Sequence, residues 1–134
     1  MTRLRVRQTV LDSVTAHARA AAPMECCGLL IGSSDLIDES WPARNLRDSP
    51  TRFLIRPRDH FDALRVARRT GRAVRGAYHS HPHGPRHPSP TDAAEMHDRL
   101  LLQMIVSLEQ NRPEVRMFEW TNGNFARVDF VPQP

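Results

Sequence analysis

The sequence predicts a mixed α/β domain, a central mixed β-sheet with helices packed on its faces. Three features point there. Segments with apolar residues at helical spacing alternate with short strand-like runs through most of the chain. The runs "CCGLLIG" and "QMIVSL" are continuously apolar but short, which suits buried strands. The chain then closes on "EVRMFEW" and "FARVDFV", joined through Asn122-Gly123, a hairpin signal.

The elements follow in order. "LRVR" reads as a short strand. Residues 8 to 21 carry Val10, Leu11, Val14, Ala18 and Ala21 at helical spacing, and Pro23 ends that segment. "CCGLLIG" is a strand bounded by Gly32, and residues 35 to 47 form a second strand with a break near Pro42. "TRFLI" is a further strand candidate. Pro57 opens a helix at its first position, Phe61, Leu64 and Ala67 line its apolar face, and Gly71 closes it. "AVRGAYHSH" is a strand running into a histidine-rich stretch. A third helix starts near residue 90, with Ala93, Met96 and Leu100 on one face. No internal repeat, linker or low-complexity tract interrupts the chain, so one domain is expected over residues 1–134.

Composition narrows the function classes. An apolar fraction of 40% with 25% charged residues is that of a soluble globular protein, and no apolar run approaches a membrane span. The N-terminus lacks an apolar signal core, so a cytoplasmic location without a membrane partner is expected. Cys26 and Cys27 are adjacent and alone, which excludes a disulfide scaffold and leaves a cysteine-ligated zinc site without partners. Buried strand packing is the ordinary role for both. All 19 basic residues are arginine, which excludes a lysine nucleophile or Schiff base. Net charge is +4, with a dense stretch from Arg56 to Arg75. That stretch is either a solvated helix face or a surface for an acidic partner. Without interleaved aromatics, an RNP-like motif or a helix-turn-helix, nucleic acid is not expected as a partner.

The segment "AYHSHPHGPRHPSPTD", residues 77 to 92, carries the chemistry. His79 and His81 stand two apart at a strand end, so both imidazoles point to one side. Two imidazoles there are the beginning of a divalent-metal site, and an open catalytic zinc site takes three protein ligands plus water. Asp92 is the third candidate, brought back by the Pro- and Gly-rich loop. A structural role competes for it. Ser89 suits an N-cap, Pro90 the first helical position, and Asp92 the acid of a capping box. The two roles agree for Ser89 but compete for the Asp92 carboxylate. A hydrolytic site also needs a base. Glu25, just before the apolar run, is either that base or the last solvated residue ahead of a buried strand. His83 and His87 lie in the loop, and His97 falls on an exposed helix face. His17 and His60 read as ordinary helix residues, and Trp41 and Trp120 as core or rim packing.

His79, His81, Ser89 and Asp92 together match H-S-H-x7-S-x-x-D, with Pro82 after the second histidine and Glu25 far upstream. This pattern resembles the JAMM, or MPN-plus, zinc metalloprotease family. "PMECCGLLIG" is similar to the P-x-E-x-C-G stretch of its prokaryotic members. "NLRDSPTRF" is similar to a segment of the bacterial branch acting on sulfur-carrier proteins. The resemblance implies a minimal catalytic domain with the α/β fold shared distantly with cytidine deaminases. It implies one Zn²⁺ per chain, held by His79, His81 and Asp92. Glu25 would hold and deprotonate the attacking water and pass the proton to the leaving amine. Ser89 would hydrogen-bond the oxyanion. The implied substrate is a ubiquitin-like, β-grasp carrier protein or its conjugate, cut after its C-terminal Gly-Gly. A diglycine tail can approach a backbone closely and add beside a strand edge, for which residues 45 to 55 are the candidate.

Other functions compete for the same residues. A nucleobase deaminase would need H-x-E with a later P-C-x-x-C, and neither motif is present. A RadC-like, DNA-repair-associated protein shares the histidine pattern but is expected to carry a further N-terminal helical region. A non-catalytic MPN-type binding scaffold stands as the alternative, against which the presence of all five key residues argues.

Overall fold

The computed structural model describes residues 3–96, 98–109 and 112–134. The elements, in chain order, are β1 (Leu4–Arg7), α1 (Gln8–Ala21), β2 (Cys27–Gly32), β3 (Leu36–Ala43), α2 (Pro57–Arg69), β4 (Ala73–His81), α3 (Pro90–Glu95), β5 (Leu102–Ser107), β6 (Glu114–Thr121), β7 (Asn124–Val128) and β8 (Phe130–Gln133). The expected mixed α/β architecture is present. Eight strands form one sheet in the order β7-β6-β5-β4-β2-β3-β1-β8. β4 runs parallel to β5 and antiparallel to β2, and β1 runs parallel to both β3 and β8. Among the described residues no helix is long and apolar enough to cross a membrane.

β2 is central because its residues are apolar without alternation and both faces of the sheet are covered there. Leu30 packs with Val6, Val10, Val14 and Ala18 under α1. Leu29 and Ile31 pack on the opposite face with Ala63 and Ala67 of α2 and Ala77 of β4. Leu29, Leu30 and Ile31 are fully buried, each contributing about 1.5–3 kcal/mol of transfer free energy. Gly28 gives the Tyr78 ring its place, since a Cβ there would lie 2.3 Å from Tyr78 Cε1 and 2.5 Å from the Trp41 carbonyl oxygen. At the β6–β7 turn, Asn122 and Gly123 have φ of 51° and 77°, the left-handed pair that a two-residue hairpin requires.

Four expectations are corrected. "TRFLI" is not a sheet strand: it makes a single bridge, Ile55 to Asn45, and otherwise crosses in front of the sheet as a strap. The apolar face of α2 is turned. Asp59, Ala63 and Ala67 face inward, while Phe61 and Leu64 are 56% and 48% exposed. Small residues let the helix lie close to the sheet, and Asp59 turns in to accept from the Arg44 amide at 2.8 Å. The third helix stops at Glu95, so no face extends to Leu100, which is 94% exposed. His97 lies outside the described residues. Finally, "FARVDFV" breaks at Asp129 into β7 and β8, which sit at opposite ends of the strand order. Neighbouring residues can occupy both ends only because the sheet curls until its edges approach.

Candidate metal centre

β4 sets the site by simple alternation. Tyr78 and Ser80 point under α1, and His79 and His81 point to the face shared with Ala77 and α2. The loop from Pro82 then returns to α3, whose first turn faces the same histidines. His79 Nε2, His81 Nε2 and Asp92 Oδ2 converge, with separations of 3.0 Å between the imidazoles and 3.1 and 3.0 Å from each to the carboxylate. All three residues are buried, and each offers one ligand atom to a common point.

The donor chemistry fits a divalent cation. The Pro85 carbonyl can only accept, so the His81 nitrogen facing it at 2.7 Å, Nδ1, carries the proton. That leaves the Nε2 lone pair aimed at the cluster, the usual outer arrangement of a metal-bound histidine. Lone pairs and a carboxylate this close repel unless a positive charge lies among them. Protons can take a cation's place among these atoms, and the titration directions are those of that protonated cluster. Burial alone would raise the Asp92 carboxyl, but bonds from His79 and His81 outweigh it and hold it well below the usual carboxylate range. Burial lowers His79. It also works against His81, where the Asp92 carboxylate and the Pro85 carbonyl prevail and raise the imidazole.

Asp92 serves cap and cluster at once, which corrects the expectation of a conflict. Its Oδ2 accepts the Ser89 amide at 2.8 Å on one side while facing both imidazoles on the other. Ser89 Oγ accepts the Asp92 amide at 3.0 Å, closing a capping box around α3. That bond uses an oxygen lone pair of Ser89 and leaves its hydroxyl hydrogen free to donate elsewhere.

Glu25 is not a solvated residue at a strand mouth. It is 4% exposed, and among the described residues its Oε1 has no hydrogen-bond partner. β2 pairs Cys27 with His79, and Ser80 donates to the Cys26 carbonyl at 3.1 Å. One step further along this register, Glu25 comes level with His81 on the same face. Burial pushes its carboxyl up to about 8, against the opposing pull of His81. Cys26 and Cys27 are buried, and burial raises them to about 11 and about 12, so neither is a thiolate nucleophile at neutral pH.

Several contributors had no motif to announce them. Phe53, on the strap, stacks on His79 with ring centroids 4.3 Å apart and 18° between planes. Arg52 grips Glu95 of α3 through Nε at 2.8 Å and Nη2 at 2.9 Å, tying the strap across to the ligand-bearing helix. Between strap, α2 and α3 opens a cavity of about 580 Å³ that reaches His79 and Asp92. Phe53, Ile55, Phe61, Leu64 and Phe125 make it largely apolar, so the side chains of α2 assigned to the core line this cavity instead. His60 also lines it, and His17 accepts or donates to the Tyr78 hydroxyl at 2.7 Å on the other side of the sheet. His83 and His87 are exposed loop residues. Trp41 packs against the α2-side core, and Trp120 meets Phe125 edge-on. Within the Arg56–Arg75 stretch, Arg56, Arg58 and Arg72 are paired with carboxylates.

Comparison with known proteins places the chain. Residues 7–122 match the model of the prokaryotic homologs of the JAB domain. Over 103 residues the chain is 35% identical to the tail tip assembly protein K of Escherichia phage N15, covering 76% of this chain and 40% of that protein. It is 37% identical over 93 residues to a probable TtuB-protein conjugate cleaving protease of Thermus thermophilus, covering 69% of this chain and 62% of that one. The chain thus spans less than two thirds of the length of these two relatives. It is 31% identical to the desampylase of Haloferax volcanii, over 94% of both chains. Among solved structures, a protein from Desulfitobacterium hafniense superposes with a TM-score of 0.89 at 30% identity, covering 97% of this chain and 92% of that one. A JAB1/MPN domain protein from Archaeoglobus fulgidus shares the fold with a TM-score of 0.59 at 22% identity, covering 96% and 99%. The chain belongs to the family of prokaryotic JAB-domain homologs.

Proposed function

We propose that this protein is a zinc-dependent metallopeptidase, acting as one catalytic domain over residues 1–134. It would hydrolyse the peptide or isopeptide bond that follows the C-terminal Gly-Gly of a ubiquitin-like, β-grasp carrier protein. The observation that carries the reading is the convergence of His79 Nε2, His81 Nε2 and Asp92 Oδ2 beside the buried, unpartnered carboxylate of Glu25. Two relatives named for conjugate cleavage and desampylation support the substrate class.

His79, His81 and Asp92 would hold the metal. A bound Zn²⁺ supplies Lewis-acid polarisation of a carbonyl and acidifies water. Glu25, level with His81 and with a buried carboxylate oxygen that no described residue bonds, would take the proton of the attacking water and hand it to the leaving amine. The free Ser89 hydroxyl hydrogen would donate to the oxyanion developing on the scissile carbonyl. The strap offers the edge for the diglycine tail. Among the described residues, the backbone groups of Phe53 and Ile55 enter no hydrogen bond with the rest of the chain. The cavity they wall would hold the substrate near the ligands while excluding water.

The test is metal content by elemental analysis on wild type and His81→Ala, alongside cleavage of a diglycine-extended β-grasp carrier. One zinc per chain, lost together with cleavage on substitution, supports the reading. Wild type that binds no zinc and stays inactive when zinc is added would make the chain a binding scaffold.

A further inference from the structure

Asn45 stands at the start of the strap and uses its whole amide. Its Nδ2 donates to the Glu25 carbonyl and to the Arg52 carbonyl, both at 3.1 Å. Its Oδ1 accepts the Arg47 amide at 3.0 Å and the Leu54 amide at 2.9 Å. Carbonyls only accept and amide N–H groups only donate, so this amide has one orientation. Residues 46–54 therefore wrap around a single side chain.

The same strap holds Glu25 at both backbone groups. The Glu25 amide donates to the Ser49 carbonyl at 2.9 Å, and its carbonyl receives the Asn45 bond. Glu25 lies just beyond the last ladder pair of β2 with β4, so that register sets it level with His81 while its own backbone groups bond, among the described residues, only to the strap. Its neighbour Cys26 is tied instead to β4, its amide donating to Ser80 Oγ at 2.8 Å between the two histidines. The direction of the Glu25 carboxylate thus depends on two anchors, Ser80 through Cys26 and the strap through Asn45. The strap also carries Phe53, stacked on His79, and the cavity wall at Leu54 and Ile55.

We propose that Asn45 is a positioning residue that binds Glu25 and the strap into one unit, aiming the carboxylate at the metal site in a single orientation. Its catalytic consequence rests on the metallopeptidase reading above; its mechanical part does not. A merely structural role would loosen the sheet and the metal site along with the strap. A positioning role leaves both intact and lowers kcat only through Glu25.

The experiment uses Asn45→Asp, which keeps both acceptor positions and loses both donors, and Asn45→Ala, which loses all four bonds without adding charge. Backbone amide exchange on the metal-free protein, followed by NMR, reads the mechanical part. The Glu25 amide, which does not touch Asn45, is expected to lose about tenfold or more of its protection, while the Tyr78 and Ser80 amides of β4 keep theirs. Unchanged Glu25 protection in both variants overturns the proposal, as does equal loss across β4. The kinetic part is read on the zinc-loaded enzyme in a double-mutant cycle with Glu25→Gln. Asn45→Asp is expected to lower kcat by about a hundredfold with one zinc per chain, while loosening of the strap as a substrate edge appears separately as a rise in KM. In the Glu25→Gln background the same substitution is expected to change kcat less than about twofold. Equal losses in both backgrounds overturn the proposal. If zinc-loaded wild type cleaves no diglycine-extended carrier, the metallopeptidase reading fails, and amide exchange alone still decides whether Asn45 orders Glu25.

Discussion

Phe53 lies nearly flat on the ring of His79, 4.3 Å between centroids and 18° between planes. His79 Nδ1 is buried and has no hydrogen-bond partner among the described residues, unlike the corresponding nitrogen of His81. On the metallopeptidase reading, the stack takes over the orienting task that a hydrogen bond performs for most metal-bound histidines. Phe53→Ala is expected to weaken zinc binding by about tenfold, the lower end of the range for outer partners of a metal site. Competition against a chelator of known affinity measures this. Unaltered affinity would show that β4 alone holds the ring.

One oxygen of Asp92 serves two masters, and substitution can separate them. Asp92→Asn can still accept the Ser89 amide but presents no charge to the imidazoles. It should keep the metal-free stability within about 1 kcal/mol of wild type, because the cap survives, and should lose stoichiometric zinc. Asp92→Ala should lose both. Thermal unfolding of the metal-free proteins and elemental analysis give the two readouts independently.

The histidines were legible because period-two alternation is local: positions 79 and 81 must share a face if residues 73–81 are extended. Asp92 was legible because a cap and a ligand both require it near the start of α3. Glu25 was not placed by local pattern. Its position depends on β2 pairing with β4 in the register that sets Cys27 opposite His79, a relation between segments about fifty residues apart that no periodicity contains. Phe61 and Leu64 misled for a different reason. Apolar spacing reports that a side chain avoids water, not whether it meets a core or a cavity, and here the inward stripe of α2 is Asp59, Ala63 and Ala67. The split of the last strand follows from closure of the curled sheet, which is a property of all eight strands together.

Glu25 combines a proposed catalytic task with a structural cost. A carboxylate with a buried, unpartnered oxygen destabilises the fold unless it is protonated or joined by a ligand. Glu25→Gln keeps the shape and removes the titrating carboxyl, which burial disfavours in its ionised form. Cleavage is expected to fall by about two to four orders of magnitude, with zinc content unchanged, while the metal-free protein gains about 1 kcal/mol of stability. Loss of activity with loss of zinc would instead make Glu25 part of the ligand set.

On the far side of the sheet, His17 of α1 meets the Tyr78 hydroxyl at 2.7 Å and edge-on, with centroids 5.8 Å apart. Burial lowers the His17 pKa from its usual 6.5, favouring the neutral ring. Below pH 6.5 the unfolded chain takes up a proton that the folded chain does not, so stability falls as the pH drops from 6.5 toward the folded pKa. His17→Gln can still pair with the Tyr78 hydroxyl and does not titrate. Denaturant unfolding of the metal-free proteins at pH 7 and pH 5 should show a smaller loss on acidification for His17→Gln than for wild type. Parallel losses would assign the acid sensitivity to other groups and leave His17 a neutral packing partner of Tyr78.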